Sequence, residues 1–474
     1  MTSRTDLLSA LSGIVGERYV LTTAEDTAPY ATDWKRSTTG VPACVVRPAS
    51  TAEVAAIVRL CGDSGISIVP QGGNTGLAAG AIPDTTGGQV VLSLNRMQTV
   101  RSLDPIGMTV EVEAGAILQT VREKAASVDR MLPIAIAAEG SATVGGVIAT
   151  NAGGLNVLRY GMTRDLTLGL EVVLADGSVS NGLRHLRKDN AGYDWKQWFI
   201  GSEGTLGIVT AAVLRLVSVP RHSVTALLSV SSLEAAISLF GHAQQEIGEA
   251  LSAFELISAN SLDLVSRHAH LKPPITAGDW FILLEGASSL SGLRDAAEGL
   301  LESGFENGWI IDGVVAESEA QARQLWALRE HVTEAEARDG PSLKHDISVS
   351  LTHLREFLDD AEAALVDAAP GAGLNIFGHL GDGNLHYNVL FRPDHDQKAI
   401  NRIVHDAVIK HGGSISAEHG LGQYRVDEWL RLAPESDLRL ASTLKTALDP
   451  SGLLNPGKIL PFSLLHTKAI RGVN

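Results

Sequence analysis

Apolar and polar positions along the first 220 residues alternate in short runs whose period keeps changing. Residues 43–47 form an apolar run of strand length. Ser50 and Glu53 then make an S-x-x-E capping box. Behind it Val54, Ile57, Val58 and Cys61 recur at i, i+3, i+4 and i+7, the stripe of a helix with one buried face. Apolar runs at 66–70, 89–94, 109–113 and 208–217 predict further strands, and Asp176-Gly177 supplies a hairpin turn. Beyond Pro220 the pattern becomes strand and helix in pairs: 223–230 with 233–247, then 253–257, then 280–286 with 290–301. From about Leu351 onward it reads as helical, interrupted by one hairpin. The pattern predicts an α+β protein with domains at 1–220, 221–410 and 411–474. The middle one is an antiparallel sheet with helices on one face, and the last is mostly helical. A chain of 474 residues exceeds one hydrophobic core, which agrees with several domains.

Composition narrows the function classes. Apolar residues make up 45% and charged residues 19%, the balance of a globular chain. A net charge of −16 argues against nucleic acid as a partner, because neutralising phosphates needs a basic surface. Only Cys44 and Cys61 occur, each in an apolar run, so a disulfide framework is not expected. No apolar run reaches the roughly 18 residues of a membrane span. Residues 1–21 carry Asp6 and Glu17 and lack the basic start of a signal peptide, so the expectation is a cytoplasmic enzyme.

Three glycine-rich stretches interrupt the elements. Gln71-Gly72-Gly73-Asn74-Thr75-Gly76-Leu77 follows a strand directly. Glycines there allow backbone N–H groups to converge on an anion. The spacing is neither a Rossmann fingerprint nor a Walker loop. Alone, the loop reads equally as a structural turn. Residues 141–154 place small side chains at nearly every second position, and 201–207 add a third stretch. Together they suit a groove for a large flat cofactor with a pyrophosphate.

The segment Gly378-His379-Leu380-Gly381-Asp382-Gly383-Asn384-Leu385-His386 carries the strongest chemistry. With Asp382-Gly383 as a two-residue turn, His379 faces His386 and Phe377 faces Asn388. Directly opposed residues share a face, with Cβ atoms roughly 4.5–5.5 Å apart, so two imidazoles can reach one ion. Ser416-Ala417-Glu418-His419-Gly420 offers a carboxylate beside another histidine. The chain has 15 histidines, so a structural pairing stays open at this stage.

The three glycine stretches resemble the FAD domain of vanillyl-alcohol oxidase and p-cresol methylhydroxylase relatives, and match the FAD-linked 2-hydroxy-acid dehydrogenases among them most closely. G-H-x-G-D-G-N-x-H followed by A-E-H-G resembles the C-terminal part of D-2-hydroxyglutarate and D-lactate dehydrogenases. The resemblance implies a two-subdomain FAD-binding domain at 1–220. It assigns FAD contacts to Gln71, Gly72, Gly73, Asn74, Thr75, Gly76 and Leu77, to Ser141, Gly145, Gly146, Thr150 and Asn151, and to Gly204 and Ile208. Some relatives attach FAD through a histidine in the first loop; Asn74 and Thr75 stand here, so FAD is expected to be non-covalent. The resemblance also implies a divalent ion on His379, His386 and Glu418, with His419 as catalytic base and substrate contact. Two imidazoles and a carboxylate suit Zn²⁺ first, with Mn²⁺ and Co²⁺ behind it.

The run L-W-x-L-R-E-x-x-T-E-A, then K-x-D, resembles the D-2-hydroxyglutarate dehydrogenases in particular. It implies that Arg329, Thr333 and Lys344 hold a distal carboxylate and that Asn388 contacts substrate. Read from the residues alone, Arg329 and Thr333 share a helix face at i, i+4 and fit a solvated surface as well. The activity implied is hydride transfer from C2 of a D-2-hydroxy acid to flavin N5. A D-lactate dehydrogenase of the same build, an oxygen-using oxidase and a non-catalytic flavin- or metal-binding subunit are the competing readings. The electron acceptor is expected to be an electron-transfer flavoprotein or a quinone. The oligomeric state stays open, a homodimer included.

Overall fold

The computed structural model describes residues 4–461, so residues 462–474 of the expected helical C-terminal stretch lie outside the described residues. It divides into two compact units. The first comprises the chain up to Gly154, Gly161–Ser218 and the chain from Glu418 onward; the second comprises Leu155–Tyr160 and Val219–Ala417.

In the first unit a four-stranded sheet has the order Val20–Leu21, Pro42–Val46, Gln89–Ser93, Ile68–Gln71. Its two outer pairs differ: the first is antiparallel, and Gln89–Ser93 runs parallel to both of its neighbours. The capped helix is Thr51–Ser64, with the Ser50 side chain accepting from Glu53 N and Val54, Ile57, Val58 and Cys61 all buried. A second sheet of five antiparallel strands has Ile208–Arg215 at its centre, between Thr109–Glu113 and Thr167–Val173.

The second unit is built on seven antiparallel strands: β1 (His222–Val230), β2 (Leu251–Ser258), β3 (Trp280–Ser288), β4 (Ile310–Val315), β5 (Ser342–Ser348), β6 (Gly373–His379) and β7 (Asn384–Leu390). Their order is β4-β1-β3-β2-β6-β7-β5. The α+β class and the antiparallel sheet agree with the sequence pattern, but helices cover both faces where one was expected. On one face Leu227, Ile257, Phe281 and Phe377 pack with Leu325 and Leu328 of α1 (Glu319–Glu330) and Val332 and Ala335 of α2 (Val332–Asp339). On the other, Phe254 of β2 meets Phe240 of the helix Leu233–Glu246, rings 5.1 Å apart. Every residue of β2 is buried, the signature of a strand covered on both sides. Among the described residues no helix is long and apolar enough to cross a membrane.

Candidate active site

In the first unit, the strand Ile68–Gln71 delivers the first glycine loop. Gln71 is buried and donates from Nε2 to Tyr30 O and Ala81 O, both at 2.9 Å. Glycine is required at the next two positions because the second loop abuts them. A Cβ on Gly72 would lie 2.2 Å from Thr143 Oγ1, and one on Gly73 would lie 2.0 Å from Ser141 O. Asn74 takes φ +54 and donates from Nδ2 to Thr32 O at 2.9 Å. The two loops thus meet and leave a groove of about 300 Å³ lined by Tyr30, Gln71, Gly72, Gly73, Asn74 and Ser141. That volume and a wall of exposed backbone fit part of a nucleotide cofactor.

The other residues assigned to the flavin are held by the protein itself. Gly145 presses on Ala114, its N–H donating to Ala114 O at 2.7 Å. Gly146 donates its N–H to Thr143 Oγ1 at 3.4 Å, and Thr150 Oγ1 donates to Gly146 O at 3.0 Å. Asn151 takes φ +48 and accepts from Arg164 N at 2.9 Å. Gly204 (φ +72) packs on Pro70, and Ile208 is buried in its strand. Thr75, Gly76 and Leu77 complete the first loop, and a Cβ on Gly76 would meet open space.

The second unit carries the histidine hairpin, with a register different from the expected one. Phe377 pairs with His386 and Asn375 with Asn388, so His379 stands two residues further along than a directly opposed partner. The cause is the connection. Leu380–Asp382 form a short 3₁₀ turn, Gly383 follows at φ +78, and four residues rather than two join the strands. Asp382 Oδ1 accepts from Asn384 N at 3.1 Å, while Gly383 O is taken by Val349 N at 3.0 Å. A shift of two preserves the face of a strand, so the histidines stay together. Their rings are 5.9 Å apart, and ligand nitrogens lie within 4.8 Å of each other.

Around them lies a group of residues that the sequence pattern did not single out. Glu255 of β2 is opposite His379 in register and only 1% exposed. Its Oε1 accepts from His379 Nδ1 at 2.7 Å and its Oε2 from Arg329 Nε at 2.8 Å. Burial pushes its carboxyl up, and His379 and Arg329 outweigh that and hold it at about 2. Because Nδ1 of His379 carries the proton of this bond, Nε2 is the nitrogen whose lone pair an ion would use. Arg329 also stacks on Phe377, 4.8 Å from the ring centre, and the His386 ring lies near it as well, centroids 4.9 Å apart.

Arg329 is therefore buried rather than on a solvated face. The expected continuous helix breaks at His331, between α1 and α2, and Thr333 stands exposed on α2. Lys344 of β5 and Asn388 of β7 pair across the ladder, and both turn to a second buried carboxylate, Glu336. Asn388 Nδ2 donates to Glu336 Oε2 at 2.8 Å, and Lys344 Nζ lies 3.8 Å from Oε1. Asn388 Oδ1 is buried with no hydrogen-bond partner among the described residues. A polar residue inside an otherwise apolar strand was the one available signal for Glu255; its partner lies 74 residues away.

Ala417 donates its N–H to Asp346 O at 3.1 Å, and Asp346 is the ladder partner of His386. Glu418 is the next residue in the chain. In the first unit, Glu418 Oε1 accepts from Gly154 N at 2.7 Å. The loop after His419 is pinned by Glu203, whose carboxylate accepts from Leu421 N at 2.8 Å and Gly422 N at 2.9 Å. Burial raises the Glu203 carboxyl above its ordinary range, against the pull of those N–H groups and of Arg425 and Lys458.

Two family profiles match the chain. The family profile for the C-terminal domain of FAD linked oxidases matches residues 219–459, and the FAD binding domain profile matches 42–182. The mitochondrial D-2-hydroxyglutarate dehydrogenase of Bos taurus is 40% identical over 460 residues, 96% of this chain and 84% of the relative. The D-2-hydroxyglutarate dehydrogenase of Xanthomonas citri pv. viticola is 38% identical over 442 residues, 92% of each chain. Among solved structures, 4-ethylphenol oxidase from Gulosibacter chungangensis superposes with a TM-score of 0.76 at 21% identity, covering 97% of this chain and 98% of that one. p-Cresol methylhydroxylase gives 0.75 at 15%, covering 97% of each. These last two show a shared fold. The cytoplasmic expectation is overturned here: the relatives from Bos taurus, Rattus norvegicus and Arabidopsis thaliana are named mitochondrial. The character of residues 1–21 does not decide a compartment.

Proposed function

This chain belongs to the FAD-linked oxidase family that includes the D-2-hydroxyglutarate dehydrogenases, and from that premise we propose that it oxidises D-2-hydroxyglutarate, or a close dicarboxylic D-2-hydroxy acid, to the 2-oxo acid. The observation that carries the substrate reading is Glu255. One buried carboxylate fixes both a candidate metal ligand, His379, and a candidate carboxylate receptor, Arg329. A site for a 2-hydroxy diacid needs both groups held at a set spacing.

His379, His386 and Glu418 would hold a divalent ion, Zn²⁺ by the chemistry of the donors, and the ion when bound would lower the pKa of the substrate hydroxyl. FAD, bound non-covalently by the glycine loops, supplies the acceptor for the hydride that leaves C2. The residues of the chain do the rest. His419 accepts the hydroxyl proton at a ring nitrogen. Arg329, fixed at Nε, presents its terminal nitrogens to the distal carboxylate, with Thr333 and Lys344 completing the receptor. Asn388 contributes a further substrate contact beside Lys344, its ladder partner. Gly72, Gly73, Asn74 and Ser141 line the cofactor groove. Electrons then pass to a flavoprotein or quinone.

The test is turnover of purified protein with an artificial dye. D-2-Hydroxyglutarate should be oxidised faster than D-lactate. Faster D-lactate oxidation would transfer the assignment to that acid, and a flavin band that no D-2-hydroxy acid bleaches would mean a non-catalytic protein. Peroxide formation in the absence of dye would mark an oxidase.

A further inference from the structure

The buried carboxylate of β2 has a role that follows from donor and acceptor counts. Glu255 presents two oxygens to two different donors. Arg329 Nε can only donate, so Oε2 is committed. His379 Nδ1 donates to Oε1 only if it carries the proton, which leaves Nε2 with the lone pair an ion requires. The same carboxylate fixes the plane of Arg329, together with the Phe377 ring beneath its guanidinium carbon. Strand and helix therefore deliver two functional side chains to one anchor, Glu255 directly across the ladder from His379 and Arg329 from α1.

We propose that Glu255 is a positioning residue that sets the His379 tautomer for metal binding and, through its second oxygen, the orientation of Arg329 toward the distal carboxylate of the substrate. This rests on the metal and substrate reading above, and it extends that reading to a residue that touches neither ion nor substrate.

Glu255→Gln gives the sharpest test. Its amide keeps the shape but has one acceptor. Arg329 Nε, which cannot accept, claims that oxygen, so the amide N–H₂ faces His379 Nδ1. The imidazole must then accept at Nδ1 and carry its proton on Nε2, the tautomer that cannot ligate. The analogous amide replacement behind a catalytic histidine costs activity through the wrong tautomer.

The measurement is zinc affinity of the full-length, FAD-loaded, chelator-stripped protein, by competition with a chromophoric zinc chelator. Glu255→Gln should weaken zinc about 10- to 100-fold, while Glu255→Asp, which keeps both acceptors, recovers part of it. With zinc saturating, KM for D-2-hydroxyglutarate in Glu255→Ala, where Arg329 Nε loses its acceptor, should rise more than KM for D-lactate. Wild-type zinc affinity in folded Glu255→Gln, together with an unchanged KM ratio in folded Glu255→Ala, would overturn the inference and leave the metal reading standing. Wild-type affinity no greater than that of His379→Ala would overturn both. Should Glu255→Gln not fold, long-range ¹H–¹⁵N spectra of histidine-labelled wild-type protein decide. His379, assigned by the signal lost in His379→Ala, should be protonated at Nδ1, and protonation at Nε2 overturns the proposal.

Discussion

Arg329 and Glu255 are 9% and 2% exposed at their side chains, so each is a charge removed from water and repaid by the other. Cutting one partner is costly because it strands the other. Arg329→Ala should lower unfolding stability by about 3 kcal/mol, seen as a shift of the urea midpoint. It should also raise KM for D-2-hydroxyglutarate much more than for D-lactate; equal rises would give Arg329 a general role. Burial acts differently on the thiols. Cys44 and Cys61 are both buried, and burial pushes each up to about 12. A thiolate is the reactive form, so the native protein should resist a disulfide-exchange dye at mildly alkaline pH. Both thiols should react once the chain is denatured; fast labelling of native protein would contradict the burial.

At the level of elements, positions with a short-range cause were legible and those with a long-range cause were not. The helix Thr51–Ser64 could be read from its cap and its stripe because both depend on neighbours within a few turns. The face shared by His379 and His386 was legible too, since any even shift of register preserves it. The register itself was not. Asp382-Gly383 looks like a two-residue turn, but Val349 captures Gly383 O from outside the hairpin. The burial of Arg329 likewise depends on Glu255, far away in sequence. The hairpin leaves its own test at Gly378, where φ is +149 and a Cβ would lie 2.6 Å from Asn384 O. Gly378→Ala should cost about 2 kcal/mol in backbone strain and weaken zinc binding with it. Wild-type values for both would show that the hairpin can re-form around a methyl group.

At the scale of the molecule, the flavin loop at Gly73 and the hairpin histidines have separate structural support, whereas Glu418, the third proposed metal ligand, groups with the flavin loops. The loops around Gly73 and Ser141 pack within the first unit, and His379, His386, Glu255 and Arg329 pack within the second. The short helix Val157–Tyr160 groups with the second unit although the chain on either side of it groups with the first, an arrangement no local pattern announces. Arg159 Nη1 donates to Ala287 O at 2.6 Å, and Leu158 lies where a Cβ on Gly381 would be, 2.7 Å away. The hairpin histidines and the loop at Gly73 rest on contacts inside different units, so damage at His379 or at Gly73 should leave the other's ligand bound. His379→Ala should lose zinc by elemental analysis and most turnover while keeping the flavin absorbance of the wild type. Gly73→Ala, whose Cβ would fall 2.0 Å from Ser141 O, should lose flavin absorbance while the proposed metal ligands still take up zinc. If either variant lost both ligands while remaining folded, FAD and zinc would be coupled in binding, and independent assembly of the two sites would be wrong.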